Sequence, residues 1–520
     1  MVLAFGLLEW TVLAVTVFVL LYMYASRNRN YWKNQNVLSE PLGISCGATL
    51  KLLFSPVCEV DLARYKKYGK LFGVFEMGKA VLFVSEPAMV KQILVEDFSS
   101  LPNRRTVTFN DPVLDNMMSM APVERWRDIR EAATQAFSTT NLRKMNALIA
   151  ECAVVTAEHL KTAASKEEDI EIRKFIGDYA LDLVARCAFA TKLDSHLDKT
   201  SEFVIRSRQA PSGRLTPRQL VYFLFPALAR ATGLLPLKPS VLQYFRTICQ
   251  NIINNKLDNQ PRDANFFHLL LSGKEGHADA PESFFTRDHQ LFNLGLHMKE
   301  DAPSPTNQQL TEDQAMAQCL LFFIAGQETT ARAIAYTLYL LAIHPDIQEK
   351  LRKEVDECFA SHGDRPHLEA VTKLKYLHCV VSESLRMYPP VPRLERTPAR
   401  DYALGDTGVK LKKSDLVAIP VYAMHYDPQY FPEPLTFDPE RFSEKNAASI
   451  EPYAYLPFGA GPRNCVAYRF ALQAVKLCLL HALRNVQLVR TGKTKVPLEF
   501  KNGPGLLTAK DITVGVRKRP

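Results

Sequence analysis

The sequence predicts a mainly α-helical, single-domain protein with a small β region, behind an N-terminal transmembrane helix. Most of 87–360 has helical character, whereas strand-like alternation is confined to two short early segments. The chain has 520 residues, 47% of them hydrophobic and 23% charged, and this apolar content can offset the ordering entropy that keeps more polar chains disordered. Because no shift in composition divides the body of the chain, we expect one domain rather than the roughly three that length alone suggests.

The first 24 residues are strongly apolar, with Glu9 as their only charge. A run of this length can cross the roughly 30 Å hydrocarbon core of a bilayer. The first cations follow the run: Arg27, Arg29 and Lys33. A cleaved signal peptide is the alternative, and it is disfavoured because no cation precedes the run and no clear small-residue cleavage site follows it.

Lysines and arginines that flank a membrane-spanning segment usually lie on its cytoplasmic side. The residues after the apolar run are therefore expected to be cytosolic. We therefore predict a single-pass membrane anchor over 1–26, a linker over 27–50 and one large domain over 51–520. The ten cysteines include no CxxC pair, which favours reduced thiols in a cytosol-facing protein.

The two strand-like segments are residues 71–77 and 81–84, joined by Gly78-Lys79-Ala80. Their β-branched and aromatic residues on either side of a glycine predict a hairpin.

The balance of charge narrows the range of partners. Lysine and arginine outnumber aspartate and glutamate by 64 to 55, a formal net charge of +9. An acidic protein partner or an acidic membrane surface fits this balance. No nucleic-acid partner is expected, because the cations form no stripe and no base-reading motif.

A glycine-rich loop near the carboxyl end places a cysteine before a helix. The pattern F-x-x-G-x-R-x-C is formed by Phe458, Gly461, Arg463 and Cys465. Free amides at a helix N-terminus stabilise a thiolate, and such a thiolate can be the proximal ligand of haem iron. The alternative is a cysteine that only packs as a small apolar group, and it is disfavoured because a chance match is on the order of one in a thousand.

Residues 311–343 form an apolar run that predicts a helix of roughly 50 Å, opened by a capping box at Thr311. Glu328 and Thr329 interrupt the middle of this run. Unpaired buried polar groups cost about 1–3 kcal/mol each, so polar residues here indicate function, although a merely kinked core helix is the alternative. We expect the Thr329 hydroxyl to bond to the Ala325 carbonyl, one turn back.

These segments resemble the cytochrome P-450 superfamily, and the resemblance covers nearly the whole chain. DPERF (438–442), RLERT (393–397) and PNRR (102–105) are most similar to its microsomal, drug- and steroid-oxidising, family-three-like branch. The resemblance implies a haem-thiolate fold, haem b with the Cys465 thiolate as axial ligand of the iron, and O₂ as co-substrate. The chain departs from the family at Ala467, where glycine is usual, which affects only the closeness of packing beneath the haem.

The resemblance also implies roles for individual residues. Glu328 would relay protons and Thr329 would orient water. Contacts to the haem propionates are implied for five residues: Arg104, Trp126, Arg130, Arg396 and Arg463. Trp126 and Arg130 lie one helical turn apart, and both side chains only donate hydrogen bonds, as a carboxylate requires.

Glu383 and Arg386 have the i,i+3 spacing of a helical ion pair. Their neighbours are apolar, so the pair is expected to be buried, although this spacing is common on solvated helices. The resemblance implies that Arg441 joins the pair in a frame that holds the cysteine loop.

The sequence indicates the residues that contact the substrate less clearly. The loop 106–120 resembles the variable loop over the haem, and its methionines suit an adaptable apolar pocket. Further pocket candidates, for each of which ordinary core packing is the alternative, are Phe322, Phe323, Leu394 and Leu507. Residues 219–237 are expected to form a membrane-dipping edge, with a buried interior helix as the alternative.

The chain has no G-x-G-x-x-G motif behind a strand, so electrons must come from another protein. The resemblance implies NADPH–cytochrome P-450 reductase as donor, with cytochrome b5 as a further partner, at the endoplasmic reticulum membrane. A lipophilic small molecule (xenobiotic, steroid or fatty acid) would be the substrate of a monooxygenase. The alternatives are a haem-thiolate isomerase or dehydratase that acts on peroxides without a reductase, and a non-enzymatic haem sensor. The intact Glu328–Thr329 pair favours oxygen activation.

Overall fold

A computed structural model describes most of the chain. The described residues are 30–41, 47–105, 108–189, 191–209, 216–224, 226–254 and 310–519, with single residues at 11, 12, 15, 16, 19, 266, 269 and 270. Most of the predicted anchor over 1–26 and part of the linker over 27–50 lie outside them. In the part of the chain that is described, no helix has the length and apolarity needed to cross a bilayer.

Helices dominate the described residues, as predicted. Those before residue 255 are α1 Gly47–Phe54, α2 Val57–Tyr68, α3 Pro87–Lys91, α4 Val123–Ala136, α5 Thr139–Ser165, α6 Ile172–Phe189, α7 Glu202–Gln209, α8 Pro217–Leu224, α9 Pro226–Ala231 and α10 Pro239–Asn254. Those after residue 310 are α11 Glu312–Ile343, α12 Pro345–His362, α13 Leu368–Thr372, α14 Lys375–Met387, α15 Val421–His425 and α16 Tyr468–Asn485.

In the described part of the chain, the β structure is small and lies in three sheets. Its strands are β1 Leu71–Glu76, β2 Lys79–Val84, β3 Asp169–Glu171, β4 Leu394–Arg396, β5 Tyr402–Ala403, β6 Lys410–Leu411, β7 Leu416–Ile419, β8 Val486–Val489 and β9 Thr513–Lys518. The largest sheet has the order β1-β2-β7-β4, in which only the β2–β7 pair is parallel. Strands β3, β9 and β8 form the second sheet, and β5 pairs with β6.

The predicted hairpin exists, but its predicted bounds are wrong. Strands β1 and β2 are joined by two residues, Met77 and Gly78, instead of three. Both have positive φ, 51° and 75°, which is the backbone of a two-residue turn that matches the twist of paired strands. The strand pairing therefore continues to Lys79, which the sequence pattern had placed in the loop.

Helix α11 is the central element, and its predicted start is confirmed. The backbone N–H of Gln314 donates to Thr311 Oγ1 (3.2 Å), and the Thr311 N–H donates to Gln314 Oε1 (3.0 Å). This reciprocal pair satisfies two donors that a helix N-terminus otherwise leaves open. The helix packs against α6 and α16. The helix that follows the cysteine loop is therefore a direct neighbour of the helix whose middle is polar.

The apolar segment 219–237 contains α8, α9 and the turn that follows, not one continuous helix. Leu228 is 57% exposed, whereas Leu237 is buried. The membrane-dipping edge stays a prediction, because several side chains of this segment, 222–227, lie outside the described residues.

Candidate active site

The middle of α11 is open on one face although both of its flanks are buried. Residues 315–320 and 330–342 are buried, but Ala325 is exposed and Glu328 and Thr329 are partly exposed. These three residues lie at i, i+3 and i+4, so they share one face of the helix. An exposed alanine at the middle of an otherwise buried helix indicates an internal space beside it. We call Ala325, Glu328 and Thr329 the open face.

The predicted hydrogen bond of Thr329 is confirmed. Its hydroxyl donates to the Ala325 carbonyl at 2.7 Å. The proton of the hydroxyl is thereby used, and the lone pairs of Oγ1 remain able to accept a bond from water. The neighbouring Thr330 is buried and does not belong to the open face.

The loop over 106–120 approaches the same helix through a residue that the sequence analysis missed. The side-chain amide of Gln318 accepts from the Met118 N–H (2.9 Å) and donates to the Asn116 carbonyl (2.7 Å). This fixes the described part of the loop, which begins at residue 108, against α11. A glutamine in an apolar helix, one turn after the capping box, was the available signal.

Three of the proposed pocket residues belong to the core. Phe322 packs against Phe470, with ring centroids 5.4 Å apart, and Phe323 packs against Phe245 at 4.8 Å. Leu507 is also buried, and its N–H donates to the Pro390 carbonyl. For these three residues the core alternative is correct.

The cysteine loop is closed by its own backbone and by its glycines. The Cys465 N–H donates to the Phe458 carbonyl (2.9 Å), and the Asn464 N–H donates to the Gly461 carbonyl (3.0 Å). Gly459 and Gly461 both have φ of 71°, a conformation that side chains with a β-carbon rarely adopt. The loop therefore presents its cysteine in one defined place.

Cys465 differs from the other described cysteines. It is partly exposed, whereas the remaining eight are buried. Although part of the residue is exposed, the protein around its sulfur removes it from water. This desolvation raises the pKa of the thiol, against the hydrogen bond from the Ala467 N–H and the charges of Arg130 and Arg104. Ala467 has φ of −98°, so the usual glycine is not required here by the backbone.

Several arginines converge on the cysteine loop. Arg104 Nη2 donates to the Arg463 carbonyl (2.9 Å), and Arg130 Nη1 donates to the Asn464 carbonyl (2.7 Å). Arg463 itself donates to the Ala121 carbonyl (3.0 Å), and its guanidinium lies 4.5 Å from the centre of the Trp126 ring.

Arg396 reaches the same place through a bridge between two distant segments. The Thr397 N–H donates to the Asn103 carbonyl (2.8 Å), and the Thr397 hydroxyl donates to the Arg104 carbonyl (2.9 Å). These bonds align β4, which carries Arg396, with the residues just before the loop over 106–120. The five predicted propionate contacts thus lie in one cluster, which we call the arginine cluster: Arg104, Trp126, Arg130, Arg396 and Arg463.

The electrostatics of the arginine cluster favour the binding of an anion. Burial, with repulsion from Arg104 and Arg130, lowers the pKa of Arg463 to about 9. Burial lowers the pKa of Arg130 to about 10 and that of Arg396 well below its ordinary value, the latter also through Arg104 and Arg463. Buried guanidinium groups are stable only when an anion compensates them.

Buried donors in the arginine cluster and next to it also lack acceptors. Nε of Arg396, Nε of Arg463 and Nδ2 of Asn464 are buried with no hydrogen-bond partner among the described residues. Such orphaned groups in a native fold call for an explanation. A flat ligand with two carboxylates would supply both the acceptors and the negative charge, so these residues fit a haem.

The predicted ion-pair frame is present and buried. Arg386 donates to both carboxylate oxygens of Glu383, at 2.7 and 2.8 Å, and both side chains are fully buried. Arg441 Nε lies 3.4 Å from Glu383 Oε1, and the Asp438 N–H donates to the same oxygen (3.1 Å). The frame therefore links α14 to the DPERF segment.

His425 completes this frame and was missed by the sequence analysis. Its Nε2 accepts from the Leu456 N–H (3.0 Å), so its Nδ1 carries the proton and donates to the Arg386 carbonyl (3.0 Å). Leu456 opens the cysteine loop, and Tyr455 beside it donates to the Ser382 carbonyl (2.7 Å). Burial lowers the pKa of His425 to about 3, which keeps the imidazole neutral.

A partly exposed thiol beside buried arginines, in a loop just before a helix that packs against one with an open polar face, is the arrangement of the haem-thiolate proteins. Comparisons with known proteins agree. The family model described as Cytochrome P450 matches residues 57–514. Cytochrome P450 3A5 of Homo sapiens is 32% identical over 524 residues, which cover 98% of this chain and 96% of that protein. Cytochrome P450 3A16 of Mus musculus is 30% identical over 519 residues, which cover 98% of this chain and 97% of that protein.

The chain belongs to the cytochrome P450 family and is a cytochrome P450 monooxygenase. Membership implies a haem whose iron is held by a cysteine thiolate. The predicted family and the mainly helical, single-domain fold with small sheets are confirmed.

Proposed function

We propose that this protein inserts one atom of O₂ into a lipophilic small molecule, with electrons that come from NADPH through a separate flavoprotein reductase. The observation that carries this proposal is the open face of α11, where a carboxylate and a hydroxyl lie side by side between two buried stretches of the helix. A sensor or an electron carrier has no use for such a pair. Xenobiotics, steroids and fatty acids are the substrate classes that we propose.

The cysteine loop and the arginine cluster would hold haem b. The Cys465 thiolate would ligate the iron, and the donors of the arginine cluster would meet the two propionates. When bound, the haem supplies the centre at which O₂ is reduced and its O–O bond is cleaved. The bond from the Ala467 N–H to the sulfur, and the nearby positive charges, favour the thiolate form that ligation requires.

The residues of the open face would position a water molecule and deliver protons to it. The Thr329 hydroxyl donates to the Ala325 carbonyl, so its oxygen accepts a hydrogen bond from a water and fixes that water's position. Glu328, paired with Arg332 as a carboxylate, can take up a proton and pass it to this water. Ordered proton delivery of this kind directs the electrons into product instead of peroxide.

NADPH–cytochrome P-450 reductase is the proposed electron donor, and cytochrome b5 a further partner. The net charge of +9 favours acidic partners. The candidate contacts for these partners are the exposed cations Arg127, Arg143 and Lys144. Of these, Arg143 already pairs with Glu369 (2.7 Å). We place the protein at the endoplasmic reticulum membrane, with residues 1–26 as anchor and the domain over 51–520 facing the cytosol.

Turnover with isotopically labelled oxygen tests the proposal. The purified protein, loaded with haem, is combined with reductase and NADPH in lipid vesicles and given a panel of steroids, fatty acids and lipophilic xenobiotics. We expect a product that carries one oxygen atom from labelled O₂. Rearrangement of an added hydroperoxide in the absence of reductase, with no labelled product in its presence, would show a peroxide isomerase or dehydratase instead.

A further inference from the structure

Glu328 is held by a buried arginine on its own helix. Arg332 Nη2 lies 2.7 Å from Glu328 Oε2, and Arg332 Nη1 donates to the Glu328 main-chain carbonyl (3.0 Å). The Arg332 side chain is 1% exposed, whereas that of Glu328 is 24% exposed. The arginine therefore lies behind the open face, whereas the carboxylate that it holds is partly exposed at that face.

A second contact fixes the plane of the Arg332 guanidinium. Its Nε and Nη2 both donate to Thr508 Oγ1, at 3.2 and 3.0 Å. The Thr508 hydroxyl in turn donates to the Leu506 carbonyl (3.0 Å). A hydroxyl offers one proton and two lone pairs, so Thr508 uses its full hydrogen-bonding capacity in this arrangement.

The loop that carries Thr508 is docked on α11 by a second residue, one turn further along. The Tyr336 hydroxyl donates to the Leu507 carbonyl (2.9 Å) and accepts from the Ala509 N–H (3.0 Å). The support behind Arg332 is therefore rigid, since two side chains of α11 anchor consecutive residues of the same loop.

The energetics indicate a purpose other than stability. A buried ion pair contributes little net stability compared with an apolar pair of the same shape. Removing one partner, however, leaves an uncompensated buried charge. A buried arginine paired with a carboxylate of the open face, beside the hydroxyl of Thr329, is the kind of local exception that functional sites show.

We propose that Arg332, fixed by Thr508, is a positioning residue that holds the Glu328 carboxylate in place for proton delivery. This inference rests on the proposed function. Without the clamp, the carboxylate rotates among several conformers and no longer passes protons to the water at the open face in an ordered way. The electrons from NADPH then reduce O₂ to hydrogen peroxide instead of supporting product formation.

The contact itself is tested without turnover, by a double-mutant cycle on thermal unfolding of the full chain. Glu328→Ala leaves the buried guanidinium unpaired, so it lowers the unfolding midpoint of the wild type. On a background of Arg332→Met the same substitution has a much smaller effect, because no charge is left behind. If the shifts in unfolding midpoint of the two single variants add up to that of the double variant, the two side chains do not interact, and the proposed clamp is wrong.

The positioning role is tested by the ratio of product to NADPH consumed. Thr508→Val removes only the hydroxyl and is expected to lower this ratio several-fold and to raise peroxide release, with haem content and spectra unchanged. Thr508→Ser keeps the hydroxyl and restores the ratio. The matched control is Thr337→Val, which removes a buried hydroxyl of α11 that bonds to Ser384 (2.9 Å) and should leave the ratio unchanged.

The outcomes separate the two proposals. If the wild type forms product and Thr508→Val retains the wild-type ratio, the positioning role is wrong and the proposed function stands. If the wild type forms no oxygenated product with reductase and NADPH, the proposed function fails, and the role of Arg332 in proton delivery fails with it.

Discussion

The carbonyl oxygen of Leu94 lies 1.8 Å from the position that a β-carbon on Gly461 would occupy. Leu94 is part of a single π-helical turn, Gln92–Glu96, that follows α3. The cysteine loop therefore packs backbone against backbone on an element far away in the sequence. Only a residue without a side chain permits this contact.

Gly461→Ala is expected to abolish haem binding. Neither backbone segment can move without opening the cysteine loop, so the added methyl group overpacks the contact and destabilises the folded state by about 1–3 kcal/mol. The left-handed φ of residue 461 adds roughly 1–2 kcal/mol to this destabilisation once the residue is not glycine. Haem content and the unfolding midpoint measure the effect. Gly492→Ala is the control, because a β-carbon there meets no atom within 4 Å and should leave both quantities unchanged.

Cys465→Ser is expected to remove the thiolate signature of the haem. An alcohol ligates iron far more weakly than a thiolate does, so the reduced carbon monoxide complex should lose the red-shifted Soret band that a thiolate ligand produces. Absorption spectroscopy measures this. Cys358→Ala, at a buried cysteine outside the site, should keep the band, and its loss in both variants would count against the assignment of the ligand.

Thr329→Ala is expected to keep the haem but to divert electrons to peroxide. The variant loses the hydroxyl that positions water on the open face, so the product formed per NADPH should fall several-fold at a similar rate of NADPH use. Peroxide and product are measured in the same reaction. Thr330→Ala alters a buried neighbour that is not on the open face; an equal loss of product in that variant would argue against a specific role for Thr329.

Glu383→Gln is expected to destabilise the protein by about 3–5 kcal/mol, because it leaves the buried Arg386 without its anion. Denaturant unfolding measures this free energy. The matched control is Glu202→Gln, which removes the partner of Arg206 in a largely exposed i,i+4 pair and should cost only about 0.2–0.5 kcal/mol. Similar losses in the two variants would mean that the frame is not the stabilising element.

His425 is expected to make stability depend on pH. Its pKa is about 3 in the folded protein and 6.5 ordinarily, so in this window the unfolded chain binds a proton that the folded chain does not. Its contribution is complete above pH 6.5 and is lost as the pH falls, by about 1.4 kcal/mol per pH unit.

His425→Phe should remove this dependence. The variant loses about 1–3 kcal/mol for each buried group left without a partner, and its free energy of unfolding should approach that of the wild type as the pH is lowered from 7 to 5. Parallel curves for the two proteins would show that the imidazole is not held neutral.

Features that depend on local spacing were predictable from the sequence. The capping box at Thr311, the bond from Thr329 to Ala325 and the buried pair of Glu383 and Arg386 all join residues within four positions. Helical geometry alone determines such contacts. The cysteine loop was also predictable, because its glycines and its cysteine are adjacent in the chain.

Contacts between distant segments were not predictable in this way. Thr508 lies 176 residues from Arg332, and no local pattern relates the two. Phe322 and Phe323 show the same limit, since the periodicity of α11 marks them as apolar but does not say which apolar face lines the internal space. The site is therefore predictable in its chemistry, but its supporting contacts require the three-dimensional arrangement.

The arginine cluster has a consequence for biosynthesis. A newly made chain must bring several mutually repelling cations together, and the ligand that neutralises them comes from porphyrin synthesis, not from the ribosome. Binding to the folded state alone stabilises that state by mass action. We therefore expect the steady-state amount of this protein in a cell to follow the local supply of haem, with chains made in excess being cleared by proteolysis.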